Sequence, residues 1–241
     1  MSIICLVRHG DRLDTNNYEE WQNSPRYKEN CHDTPLSEMG FAEILKHKGH
    51  IPEVDFIYTS PMTRCVQTAL QLQSFLNVPI RLEYGITEPG RLVDDGHSLP
   101  AIIDGQFVKL QSRYDDNHGK RLISNIDHKL YPESFFELWP QLDSTYQSYV
   151  RPQDHPFMED LVSYGNRMVK MINYFSSLHQ RVVLVGHSGL VTFGAQYFTG
   201  NPTHFQLSQG ANAGGRKHTG LLVKYDFNDP NSTEIINPDD L

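Results

Sequence analysis

The polar and apolar positions of this chain alternate between two periods. Residues 3–7 are an unbroken apolar run, the pattern of a short buried strand. Residues 182–185 repeat that pattern, and further strands are expected over 54–58 and 80–84. Between them the apolar spacing becomes helical. Met62, Cys65, Val66, Ala69, Leu72 and Leu76 fall on one stripe, and Leu161, Tyr164, Met168, Ile172 and Phe175 on another. The first stripe predicts a helix with Ser60 as N-cap and Pro61 as its first residue. A helix from Ser37 is expected too, capped by that serine, with Leu36 stapled against Phe41. Further helices are expected over 135–149, 160–178 and 188–198. Residues 11–34 read as a polar loop, 219–227 as a late edge strand, and 228–241 as a loose tail.

Strands that alternate with helices predict an α/β fold, a three-layer sandwich with a mainly parallel central sheet flanked by helices. We read residues 1–241 as a single domain. Its pattern weakens over 89–134, where scattered Gly, Asp and Pro suggest an insertion or cap. In such sheets ligands bind beyond the carboxyl ends of the strands. Arg8 and His9 follow the first strand, Arg64 opens the helix after the second, Glu88 lies past the third, and His187 follows the late one.

Composition narrows the choice. The chain has 241 residues and a net charge of −8, so general nucleic-acid binding is not expected, because it needs basic surface. No apolar run approaches the ~18–20 residues of a membrane helix. The opening MSIICLV lacks the basic flank and cleavage site of a signal peptide. Three cysteines, Cys5, Cys31 and Cys65, fit reduced thiols rather than a disulfide framework. Together these features suggest a cytoplasmic protein with no membrane partner. The 12 histidines show no zinc-type spacing.

The sharpest signal is Arg8-His9-Gly10-Asp11-Arg12. Two arginines bracket a histidine, and Gly10 allows a tight turn. A solvated loop would fit these residues alone, and so would an anion site with planar guanidinium clamps. Arg64 favours the anion. A helix N-terminus disfavours a cation by about 0.3–1 kcal/mol, which a bound anion or a nearby carboxylate would offset. Gly186-His187-Ser188-Gly189 offers a second strand-end histidine, which could equally be a satisfied core residue. It could also be a hydrolase elbow with Ser188 as nucleophile, but that pattern needs Gly where Leu190 stands, and no acid lies between Ser188 and His218.

Together, Arg-His-Gly after the first strand, Ser-Pro-x-x-Arg-x-x-Gln-Thr-Ala over 60–69, Glu88 and Gly-His-Ser-Gly resemble the histidine phosphatase superfamily, with its phosphoglycerate-mutase-like fold. Arg12 makes the chain similar to the branch holding the phosphatase domains of suppressors of T-cell receptor signalling and ecdysteroid-phosphate phosphatase. Asp11 departs from the Glu more usual there. The resemblance implies a phosphoric monoester hydrolase with His9 as nucleophile, forming a phosphohistidine. It also implies Glu88 as proton donor and then base, and Arg8, Arg12, Arg64 and His187 as holders of the phosphoryl oxygens. No cofactor and no metal are implied, and relatives suggest a homodimer. For Glu88 to donate a proton, a raised pKa is expected. His9 needs a partner on one ring nitrogen to fix its tautomer.

The expected substrate is a phosphomonoester, phosphotyrosine or another aryl or small-molecule phosphate. A phosphoglycerate-type mutase and a non-catalytic phosphate-binding domain are the alternatives. A cysteine-based phosphatase is excluded, since six residues beyond the three cysteines stand Asp11, Ser37 and Gln71 instead of Arg. Arg91 and His118 could position substrate. Tyr114, Phe135, Phe136 and Trp139 could line a pocket, or simply belong to the core.

Overall fold

The computed structural model describes residues 2–29, 31–88, 98–103, 106–115, 120–127, 141–154, 159–200 and 219–241. Its centre is a six-stranded sheet. Strands β1 (Ile3–Arg8), β2 (Phe56–Thr59), β3 (Ile80–Leu82) and β7 (Arg181–Gly186) run parallel in the order β3-β2-β7-β1. Strands β8 (Leu222–Asp226) and β9 (Asp229–Ile236) add antiparallel beyond β1. β1 and β7 lie inside the sheet and read as continuous apolar runs because both of their faces are covered.

Side-chain alternation sorts those runs into two layers. Cys5, Val7, Ile57, Val183 and Val185 pack toward helices α4 (Glu38–Leu45) and α5 (Thr63–Leu76). Ile4, Leu6, Tyr58, Val182 and Leu184 pack toward α6 (Leu161–Ser177) and α7 (Ser188–Thr199). The fold is therefore the expected three-layer α/β sandwich. Both apolar stripes face these layers, except that Leu161 is exposed.

Several local expectations change. The polar stretch 11–34 holds three short helices, α1 (Leu13–Asn16), α2 (Tyr18–Asn23) and α3 (Pro25–Glu29). Asn17 caps α2 by accepting from the Glu20 amide at 3.2 Å. Trp21 is buried, and its indole N–H donates to the Cys31 carbonyl. Helix α5 starts at Thr63 instead of Pro61, and Ser60 does not cap it. Residues 142–149 are not helical. Asp143 accepts from the Thr145 amide and hydroxyl, a local bond that competes with helix. Residues 135–140 lie outside the described residues. β8 is an inner strand, because the tail pairs with it as β9: Leu222 faces Ile236 and Val223 faces Ile235. That edge strand is polar, and it carries Pro230 where an edge tolerates it.

Within 89–134 the backbone forms a second, antiparallel sheet of β4 (Ser98–Ile103), β5 (Gln106–Asp115) and β6 (Lys120–Asp127). No helix of the described residues is long and apolar enough to cross a membrane.

Candidate active site

Parallel register gathers the predicted residues. Arg8 is paired with Gly186 and Thr59 with Val185, so the next residues, His9, His187 and Ser60, leave the sheet side by side at its carboxyl edge. The His9 and His187 rings lie 5.5 Å apart between centroids, inclined at 69°. Arg8, His9, Arg64 and His187 are all buried.

The main chain of His9 is fixed on both sides. Its N–H donates to the Gly186 carbonyl, and its carbonyl accepts from the Gly220 N–H, both at 3.0 Å. The Gly10 N–H donates to Thr68 Oγ1 at 3.3 Å. The Asp11 N–H donates to Glu43 Oε2 at 2.9 Å, while Glu43 Oε1 accepts from Thr219. Burial raises the Glu43 pKa, although these two bonds oppose the rise. A Cβ on Gly10 would lie 2.4 Å from the Gly40 carbonyl oxygen, so no larger residue fits this turn. Asp11, the unusual residue here, is buried and accepts from Ser37 Oγ at 2.7 Å, which ties the turn to the cap of α4.

The main chain fixes the tautomer of His9. His9 Nδ1 is 2.8 Å from the Gly10 carbonyl oxygen. A carbonyl only accepts, so Nδ1 carries the proton and Nε2 keeps its lone pair. This is the backbone partner that the sequence reading required. His187 Nδ1 is 3.4 Å from an Arg64 NH2 donor, and Nε2 is 3.0 Å from Ser60 Oγ. The Nε2–H form satisfies both contacts. Burial and then the charge of Arg64 hold both histidines well below the ordinary range; His187 and Arg8 add to this for His9, Arg8 and Arg12 for His187. Cys65 Sγ is 3.6 Å from His187 Nε2, but burial pushes its thiol up to about 12, so it remains protonated.

The arginines are placed unequally. Arg64 donates to Glu88 Oε2 at 2.7 Å and to the His32 carbonyl at 3.2 Å, and its buried Nε has no hydrogen-bond partner among the described residues. Burial opposes its charge, but Glu88, Cys65 and Asp33 together outweigh burial and the Arg64 pKa is raised. Arg8 is lowered to about 10, chiefly by burial, and stays charged at neutral pH. Arg12 lies on Asp14 at 3.0 Å and is partly exposed, so it joins the cluster through its field on Glu88 and His187 instead of a direct bond. Glu88 corrects the sequence reading. Burial pushes its pKa up, but Arg64, His9 and Arg12 outweigh burial, and it lies below the usual carboxylate range rather than above it. Its Oε2 is also 3.5 Å from His187 Nδ1.

Other supporting residues escaped the sequence reading. Asp33 takes the Thr63 amide at 2.8 Å and its hydroxyl at 2.6 Å, capping α5 from outside the helix. Arg26 donates to the same hydroxyl. Thr68 donates to the Arg64 carbonyl. Ser60 did carry a signal, but as a helix cap rather than a histidine partner. Ser188, the alternative nucleophile, opens α7, whose first turn has no side-chain cap. Arg91, His118, Phe135, Phe136 and Trp139 lie outside the described residues, and Tyr114 lies in β5. No group of three His, Cys, Asp or Glu side chains suited to a metal occurs among the described residues.

Fold and cluster together define an α/β domain that gathers neutral imidazoles and buried guanidinium groups at its strand ends. Helix N-termini beside such a cluster favour anions further. Residues 4–118 match the family described as the histidine phosphatase superfamily (branch 1), as the sequence motifs had suggested. No curated protein matches the chain. Among solved structures, the ecdysone phosphate phosphatase from Bombix mori in complex with tungstate is similar at a TM-score of 0.55 and 16% identity. That alignment covers 99% of this chain and 93% of that one, and it establishes the shared fold. A phosphoserine phosphatase from Entamoeba histolytica in complex with 3-phosphoglyceric acid aligns over 98% of this chain and 96% of that one, at 13% identity and a TM-score of 0.48.

Proposed function

We propose that this chain is a phosphatase that hydrolyses phosphomonoesters through a phosphohistidine on His9. The observation that carries the reading is the His9 tautomer. A proton held on Nδ1 by the Gly10 carbonyl leaves the Nε2 lone pair beside Arg8, Arg64 and His187. Phosphoryl transfer spreads charge over three equatorial oxygens, so positioning and positive charge supply most of the catalysis.

In the first step Nε2 attacks phosphorus and the ester P–O bond breaks. The Glu88 proton passes to the leaving oxygen, which departs as the alcohol. In the second step Glu88 takes a proton from water as the water oxygen attacks phosphorus. The P–N bond breaks, its electron pair returns to Nε2, and inorganic phosphate leaves. The depressed Glu88 fits this cycle once substrate is bound. A phosphate dianion shares the Arg64 charge that held the carboxyl down, and its own charge raises the Glu88 pKa.

The guanidinium groups provide the positive charge, which supports catalysis without a metal. The cysteine count supports a cytoplasmic location. Arg64 and Arg8 suit a dianion, and we read the substrate as an aryl or small-molecule phosphate, phosphotyrosine included.

The test is release of inorganic phosphate from an aryl phosphate by the wild type and by His9→Ala. The variant is expected to lose more than about 10³-fold in kcat/KM. Full activity in the variant would overturn the reading. A coupled assay with 3-phosphoglycerate separates a mutase, and phosphate binding without turnover of any monoester would identify a non-catalytic domain.

A further inference from the structure

Behind the site, α6 presents a buried guanidinium that the proposed cycle does not use. Arg167 NH1 donates to the Gly85 carbonyl at 2.6 Å, and NH2 donates to the Thr87 carbonyl at 3.0 Å. Its Nε and NH2 also grip both Glu159 oxygens, with Nε at 2.9 and 3.1 Å. Arg167 is 8% exposed and Glu159 6% exposed. We propose that Arg167 is a positioning residue that sets where Glu88 stands, and that Glu159 holds it in place. The inference rests on the proposed phosphatase cycle.

The geometry carries it as follows. The Thr87 carbonyl belongs to the peptide unit whose nitrogen is that of Glu88. The unit is planar, so holding its oxygen fixes the Glu88 Cα. Two residues earlier the Gly85 carbonyl is held by the same rigid fork, so the 3₁₀ turn Tyr84–Ile86 and the residue after it move as one piece with α6. Glu88 has no strand or helix of its own to hold it. A lysine could not span two carbonyls and a carboxylate at once. Stability is a weak reason for such a group, since a buried ion pair is often no better than an apolar replacement. Orientation of the acid next to it is a stronger one, because a misplacement of about 1 Å can cost ~10²-fold in rate.

The experiment compares two aryl esters that differ in their need for a proton. Phenyl phosphate has a poor leaving group that requires the acid, whereas 2,4-dinitrophenyl phosphate departs readily without it. The readout is kcat/KM, which reports the steps through departure of the alcohol. Arg167→Met is expected to lose about 10- to 100-fold on phenyl phosphate and less than about 3-fold on the dinitrophenyl ester. Glu159→Gln, which keeps the shape and removes the charge, should shift the ratio in the same direction by a smaller factor. It serves if the methionine variant does not fold. Equal loss on both esters, or no loss on either, overturns the positioning role while leaving the phosphatase reading intact. A wild type inactive on both esters, or as active without His9, overturns the phosphatase reading, and the inference falls with it.

Discussion

Glu83 and Glu88 sit five residues apart on one short segment and live in opposite surroundings. Glu83 is fully buried, and its two oxygens accept from five donors: Gly85 N, Ser148 Oγ, Val150 N, Tyr146 Oη and Tyr149 N. Behind it Arg167 and Glu159 neutralise each other. Glu88 is 37% exposed and faces Arg64, with His187 next to both. On that side burial and the charges of Arg8 and Arg64 keep both histidines neutral. One region is saturated and closed, as a rigid support must be. The other crowds like charges, since Arg64, Arg8 and Arg12 all oppose a charge on the buried His187. Like-charge crowding therefore marks the chemistry better than burial does, since Arg64 and His187 are as buried as Glu83.

The contrast predicts that the two regions fail differently. Arg64→Met should lower kcat/KM for an aryl phosphate by about 10²–10³-fold, the loss expected for one oxyanion-stabilising group. Its unfolding free energy in denaturant should change by less than about 1 kcal/mol, because relief of like-charge crowding compensates the lost pair. A large stability loss in this variant would erase the distinction. Glu83→Gln should do the reverse. An amide NH2 turned toward groups that donate leaves buried donors unmatched, and about 3 kcal/mol of stability should be lost in the same denaturant assay.

The smallest effect is in the pH dependence. The folded pKa values of His9 and His187 lie below the ordinary 6.5, so the unfolded chain takes up their protons first. Stability is then full above that pH and falls as pH drops below it, by up to about 1.4 kcal/mol per pH unit for each histidine. The depressed Glu88 also costs stability in acid, but only as pH falls through its own lower range. Between pH 6.5 and 5 the histidines therefore dominate. Denaturant curves should show that slope, His9→Ala should reduce but not abolish it because His187 and His47 remain, and inorganic phosphate should flatten it.

Much of this molecule is legible locally. The buried runs of β1 and β7, the stripe of α5 and the cap Ser37 follow from periods and capping chemistry that neighbouring residues set among themselves. The polar β9 was not legible, because an edge strand needs only one apolar face and its partner β8 supplies the register. The three short helices before Thr34 were masked by their polar surface, although Asn17 and Glu20 had the spacing of a capping box.

The site divides the same way. Position at strand ends drew attention to Arg8, His9, Arg64, Glu88 and His187, and the resemblance of their motifs to a known family gave them roles. Their protonation could not be read from the sequence. Glu88 was expected to be raised and is lowered, since its pKa depends on Arg64, which lies 24 residues away in the chain and 2.7 Å away in space. Asp33 beneath Thr63, Ser60 against His187 and Arg167 behind Glu88 leave no local trace either. The sequence by itself determined which groups the chain brings and at which strand ends they emerge. The tertiary structure alone decided their charge states and partners, because electrostatic energy depends on distance through the folded interior and not on separation along the chain.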